Sequence, residues 1–93
     1  VTLEEKRKLD AADLHELLSL PAGRRIFYAL IERCGVLSDS FGDGSHARMA
    51  AIAGRRSIGI ELVAWLQEVT PKLYVEMVLE AAKRAAEESL AKP

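Results

Sequence analysis

From about Ser45 to about Val69 the chain runs without a proline, and apolar residues recur through the stretch at helical spacing: Met49, Ile52, Ile58, Ile60, Leu62, Val63, Trp65, Leu66 and Val69. A helix of roughly 24 residues spans about 36 Å, comparable to the width of a small domain. In a chain of 93 residues the remaining elements must therefore be arranged along it. Its apolar positions are too many for one narrow stripe, which predicts a central helix buried on more than one side.

Three further helices are read around it. In the first, Leu9, Leu14, Leu17 and Leu18 fall near one face between Asp10, Asp13 and Glu16, and the residues before Leu9 are read as its extension. Pro21 closes that helix and suits the first turn of the next, where a missing N–H costs nothing. Helix two carries Ile26, Phe27, Leu30 and Ile31 on a broad apolar face, and Gly35 stands where a left-handed residue ends a helix. Thr70-Pro71 punctuates the chain again, with threonine able to cap and proline at the first helical position. Helix four follows with Leu73, Tyr74, Met77, Val78, Ala81, Ala82 and Ala85, a face of small residues that lets another helix approach closely. The fold class is all-α: a compact bundle of about four helices, with a turn-rich loop, VLSDSFGDGS, between helices two and three. Residues 1–93 read as one domain, frayed in its first few residues and over 87–93.

A small single core leaves little room for a deep pocket. The one cysteine, Cys34, has no internal disulfide partner and no second thiol with which to begin a zinc cluster. It is read as a buried, inert core residue, and a reducing compartment is expected. No stretch approaches the roughly 18 apolar residues of a membrane span, and the charged N-terminus lacks the apolar run of a signal peptide. No membrane association is expected.

The formal net charge of -1 conceals a pattern. Residues 1–20 carry three basic and five acidic side chains, residues 21–56 six and three, and residues 57–93 four and six. An arginine-bearing middle thus lies between two acidic helical segments able to neutralise it, within one chain or between chains. Most conspicuous there is the tetrapeptide AGRR, which occurs at Ala22–Arg25 and again at Ala53–Arg56. The sequences that follow do not match, so no repeat architecture is implied.

Neighbouring residues on a helix differ in direction by about 100°, so one arginine of each pair is expected to face inward and the other outward. The inward members suit bidentate contacts with Glu32, Asp39, Asp43 or Glu61, or with loop carbonyls. The outward members, with Arg33 and Arg48, suit a partner surface. Arg24, Arg25, Arg33, Arg48, Arg55 and Arg56 are therefore the structural or partner-binding candidates, and Phe41, Tyr74 and Met77 the apolar interface candidates. Gly23, Gly54 and Gly59 lie inside helices, where glycine costs about 1 kcal/mol relative to alanine, which predicts close backbone contacts. The two AGRR units are read as paired corners at the start of helix two and within helix three, where glycine permits close approach and one arginine of each pair ties helix ends to the loop between them.

No catalytic constellation is found. Asp39–Gly44 resembles a calcium loop only faintly, since Phe41 and Ala50 occupy the third and twelfth ligand positions. His15 and His46 are distant in sequence from Cys34, and the glycines match no phosphate-binding loop. Trp65 and Tyr74 are assigned to core packing. Neither a cofactor nor a metal is expected.

One resemblance is carried by LLSLPAGRRIFYALIERCGV, Ser40-Phe41, AGRRSIG, and TPKLY with Met77. These residues, spread over 17–77, resemble a family of small proteins of tailed bacteriophages, chiefly the short-tailed kind, encoded among head and tail morphogenesis genes. The chain departs from the family at Leu37 and at SHARMAAIA, which replace more aromatic residues. The resemblance implies a virion structural or assembly protein that binds a capsid, portal or tail-neck component through helix faces. It would be found in the virion and, during assembly, in the host cytoplasm. Self-association is expected as a way to complete the core. The alternative is a helical nucleic-acid-binding or host-takeover regulatory protein, drawn from the basic middle segment; the sequence pI of about 6.1 opposes nucleic-acid binding.

Overall fold

The computed structural model describes residues 1–35 and 46–91. Four helices follow in order, α1 (Leu3–Leu18), α2 (Pro21–Arg33), α3 (His46–Val69) and α4 (Pro71–Ala91), with no strand among the described residues. The all-α expectation holds. The turn-rich loop, with Asp39, Phe41 and Asp43, lies outside the described residues.

Local chemistry sets the boundaries. Thr2 caps α1, its hydroxyl accepting the Glu5 backbone N–H at 3.1 Å, so the helix begins well before Leu9. Pro21 opens α2, and Gly35 closes it with φ 77°, the left-handed conformation that glycine adopts without strain. The Thr70 hydroxyl donates to the Leu66 carbonyl at 3.1 Å, so it serves the end of α3 while Pro71 starts α4. Helix α4 continues to Ala91, past residue 87 where fraying is predicted.

The core forms where all four helices meet. Leu14 and Leu18 from α1, Ile31 from α2, Leu66 from α3 and Met77 from α4 are buried together, ringed by Phe27, Tyr28, Leu62, Val63, Val69, Leu73 and Tyr74. It draws on few of the available apolar residues. Leu9 and Leu17 in α1 are exposed, as are Ile26 and Leu30 in α2, although their spacing places them beside the buried set.

Helix α3 departs most from expectation. Only Gly59 and Leu66 are buried along it, while Met49, Ile58, Ile60 and Trp65 reach solvent, so it is not buried on several sides. The cause is the flatness of the assembly, which measures 46 × 38 × 16 Å. Sandwiching a helix between two others needs roughly 20 Å, given interaxial distances of 8–10 Å. Helix α3 therefore keeps an open face.

Candidate functional site

Arg24 holds the bundle together at one point. It lies in the first turn of α2, buried, and its guanidinium reaches two other helices. Nε donates to Glu80 Oε1 at 2.6 Å and Nη2 to Glu80 Oε2 at 3.2 Å, a two-pronged contact with the middle of α4. Nη1 donates to the Leu18 carbonyl at 2.9 Å, satisfying one of the orphan acceptors at the end of α1. Glu76, one turn before Glu80, adds a longer ion pair at 3.7 Å.

The preceding glycine makes this reach geometrically feasible. A Cβ on Gly23 would collide with the backbone carbonyl of Leu17, so only glycine lets the start of α2 lie so close to the end of α1. Ser19 finishes the corner, its hydroxyl donating to the His15 carbonyl at 2.7 Å.

The electrostatics follow from the geometry. The hydrogen bonds from Arg24 hold the Glu80 carboxyl below the usual glutamate range, aided by the positive charges of Arg24, Arg84 and Arg25 and opposed by burial. Arg24 is raised in turn, chiefly by its hydrogen bond to Glu80 and then by the charges of Glu76 and Glu80, against the effect of burial. No buried side-chain nitrogen or oxygen among the described residues lacks a hydrogen bond. The latch is structurally complete.

The arginine pairs thus divide as the 100° rule requires: Arg24 is buried and Arg25 exposed, Arg56 half-buried and Arg55 exposed. The partners of Arg24 differ from the expected acids, because Glu80 and Glu76 come from α4, which lies against α2. The two units stand where they are expected, at the start of α2 and within α3; the loop that their arginines are expected to tie lies outside the described residues. At the second unit the close approach expected of its glycine is missing, since among the described residues nothing lies near a Cβ on Gly54. Arg33 is exposed in the last turn of α2, where a cation complements the helix dipole. Arg48 is exposed near the start of α3, and both it and Arg56 are engaged in contacts within the chain.

Two interface candidates need revision. Met77 is 1% exposed and fills the core between the helices, so it offers nothing to a partner. Tyr74 is half-buried against the same core. Trp65, assigned to the core, is 40% exposed and walls two shallow depressions. Cys34 is half-buried at the end of α2 rather than deep in the core.

The sequence reading missed the outer face of α4. Val75, Val78, Leu79, Ala82, Ala86 and Leu90 recur there at spacings of three and four, all solvent-exposed, with Leu79 at 64%. This is a second apolar stripe, facing away from the buried Met77 and Ala81. The signal was present in the run VEMVLEAAKRAAEESL, whose apolar residues are too many for one face.

Among the described residues no helix is long and apolar enough to cross a membrane, and no group of three histidine, cysteine or carboxylate side chains is placed to hold a metal. No family model, curated protein or solved structure matches the chain.

Proposed function

We propose that this chain is a virion structural or assembly protein of a tailed phage, acting by binding alone, with the outer stripe of α4 docking on an apolar helix or groove of a capsid, portal or tail-neck protein. The observation that carries the reading is that stripe. Sixteen residues, from Val75 to Leu90, span about 23 Å of helix. Lys72, Glu76, Lys83 and Glu87 supply polar residues beside it, giving the apolar centre and charged rim typical of a docking face. The arginine latch supports this use indirectly: by fastening α4 to α1 and α2 through its inner side, it presents the outer side on a fixed frame. The phage setting rests on the resemblance of residues 17–77.

A Leu79→Glu variant tests it. In a complementation system the wild-type chain is expected to enter particles or assembly intermediates, and the variant, whose altered residue faces solvent, to fold but be left out. Equal incorporation of the two would remove the role given to α4.

Of the arginines in the basic middle segment, Arg24 is committed to Glu80 and Leu18, which weakens the nucleic-acid reading.

A further inference from the structure

The outer stripe of α4 is bordered by charge on one side only. At about 100° per residue, Val75, Leu79, Ala82 and Ala86 fall within about 60° of one another, and Lys72, Glu76, Lys83 and Glu87 occupy the adjoining sector. All of these residues are exposed. The opposite border of the stripe is made of Val78, Ala85 and Ser89 and carries no charge.

We propose that in the free protein this stripe is covered by the same stripe of a second copy, the two α4 helices packing antiparallel about a two-fold axis that passes between Leu79 and Glu80. The proposal rests on the reading of the stripe as a docking face and adds its occupant before a phage component is met. Docking is then an exchange of one helix partner for another.

The order of the charges selects that occupant. Along the border run lysine, glutamate, lysine and glutamate, at successive spacings of four, seven and four residues. Read backwards, the same spacings give the opposite sign at every position. A two-fold axis between antiparallel helices keeps each flank against its own copy, so the charged border meets the charged border. Lys72 then stands level with the second copy's Glu87, and Glu76 level with the second copy's Lys83. Symmetry repeats each pairing, and no like charges share a level. A parallel pair would instead lay the charged border on the second copy's Val78 and Ala85 and leave it unmatched. Charges flanking an apolar helix seam set partner and orientation in this way.

These charges are available. Among the described residues Lys72, Lys83 and Glu87 form no ion pair, and Glu76 meets Arg24 through one oxygen at 3.7 Å with 53% of its side chain exposed.

The apolar register agrees with the charges. In the same alignment Leu79 meets its own copy, and Val75 falls between the second copy's Ala82 and Ala86. The bulky half of the stripe therefore lies on its alanine half, and alanines let the helix axes approach to the near end of the usual range of about 8–10 Å. The chain also has surface to cover: it exposes 6994 Å², whereas a folded monomer of its 10.2 kDa mass exposes about 5,300 Å². The excess of about 1,700 Å² is more than the roughly 800 Å² per subunit that a stable interface covers.

Sedimentation equilibrium of the purified full chain tests the proposal, with circular dichroism confirming the helicity of each variant. The wild-type chain is expected at twice its 10.2 kDa mass in concentrated solution. Lys72→Glu and Glu87→Lys each set like charges against one another at two places and are expected to weaken self-association by about ten-fold or more. An equimolar mixture of the two restores opposite charges at both places and is expected to form a one-to-one dimer close to wild-type affinity. Dilution separates association from folding, which is read on the monomer. A wild-type chain that stays monomeric across the concentration range, single variants that dimerise as the wild type does, or a mixture that associates no better than its components would each overturn the proposal. A monomeric wild-type chain would leave the exclusion of Leu79→Glu from particles standing, and equal incorporation of that variant would leave the dimer standing, so the two failures are told apart.

Discussion

Arg24 and Glu80, 56 residues apart in sequence, are joined by two hydrogen bonds of 2.6 and 3.2 Å between the first turn of α2 and the middle of α4. A third bond from the same guanidinium closes the end of α1, so one side chain coordinates three of the four helices. Removing it leaves Glu80 and the Leu18 carbonyl without their partner, and breaking such a contact costs more than replacing both sides. Arg24→Met is therefore expected to lower the unfolding midpoint clearly. Arg24→Lys, which keeps the charge but not the planar fork, should fall between it and wild type. The double variant Arg24→Met/Glu80→Leu should recover part of the loss, while Arg25→Ala on the exposed side should stay within about 0.5 kcal/mol of wild type. Urea denaturation measures all four.

The same pair sets a pH response. Glu80 titrates below its unfolded value, so its contribution to stability is complete above the ordinary glutamate pKa of about 4.3 and is lost as pH falls through the lower folded value. Arg24 stays charged throughout this range. Glu80→Gln should flatten the acid limb of the Tm–pH profile below about pH 4.3 and leave its neutral-to-alkaline part parallel to wild type. Parallel acid limbs would show that the pair does not titrate with folding.

The two AGRR glycines predict opposite signs for one substitution. Gly23→Ala drives a Cβ into the Leu17 carbonyl and should destabilise by more than about 1 kcal/mol despite alanine's better helix propensity. Gly54→Ala should stabilise by up to about 1 kcal/mol, because nothing among the described residues opposes it. Chemical denaturation of both gives the comparison directly.

Neighbouring apolar residues on α4 should also behave unlike one another. Met77→Ala opens the core and should cost about 2–5 kcal/mol. Leu79→Ala, two residues on and solvent-facing, should change folding stability by no more than about 0.5 kcal/mol. Thermal denaturation of the two variants distinguishes the inner from the outer face.

Local signals carried the helix boundaries faithfully. Pro21, Gly35 and Pro71 act within one or two residues of themselves, and each marks the boundary its backbone chemistry predicts. Burial was less legible, because helical period identifies a face but not whether something covers it. Ile26, Ile58 and Leu79 have the pattern of core residues and lie in solvent. The inward turn of one arginine per pair followed from helix geometry, but Glu80 as partner did not, since choosing it over Glu32 or Glu61 requires knowing that α2 lies against α4. Gly23 was readable as a close contact for the same reason that Gly54 was misread. Both break helix propensity, but only Gly23 has a close neighbour among the described residues.

Quantitative mass spectrometry of gradient-purified phage particles and their assembly intermediates, counting this chain against the portal and major capsid proteins, tests the proposed role most directly. A fixed whole-number ratio to one of those components, in particles or in an intermediate, is the predicted result. Absence from both would contradict it.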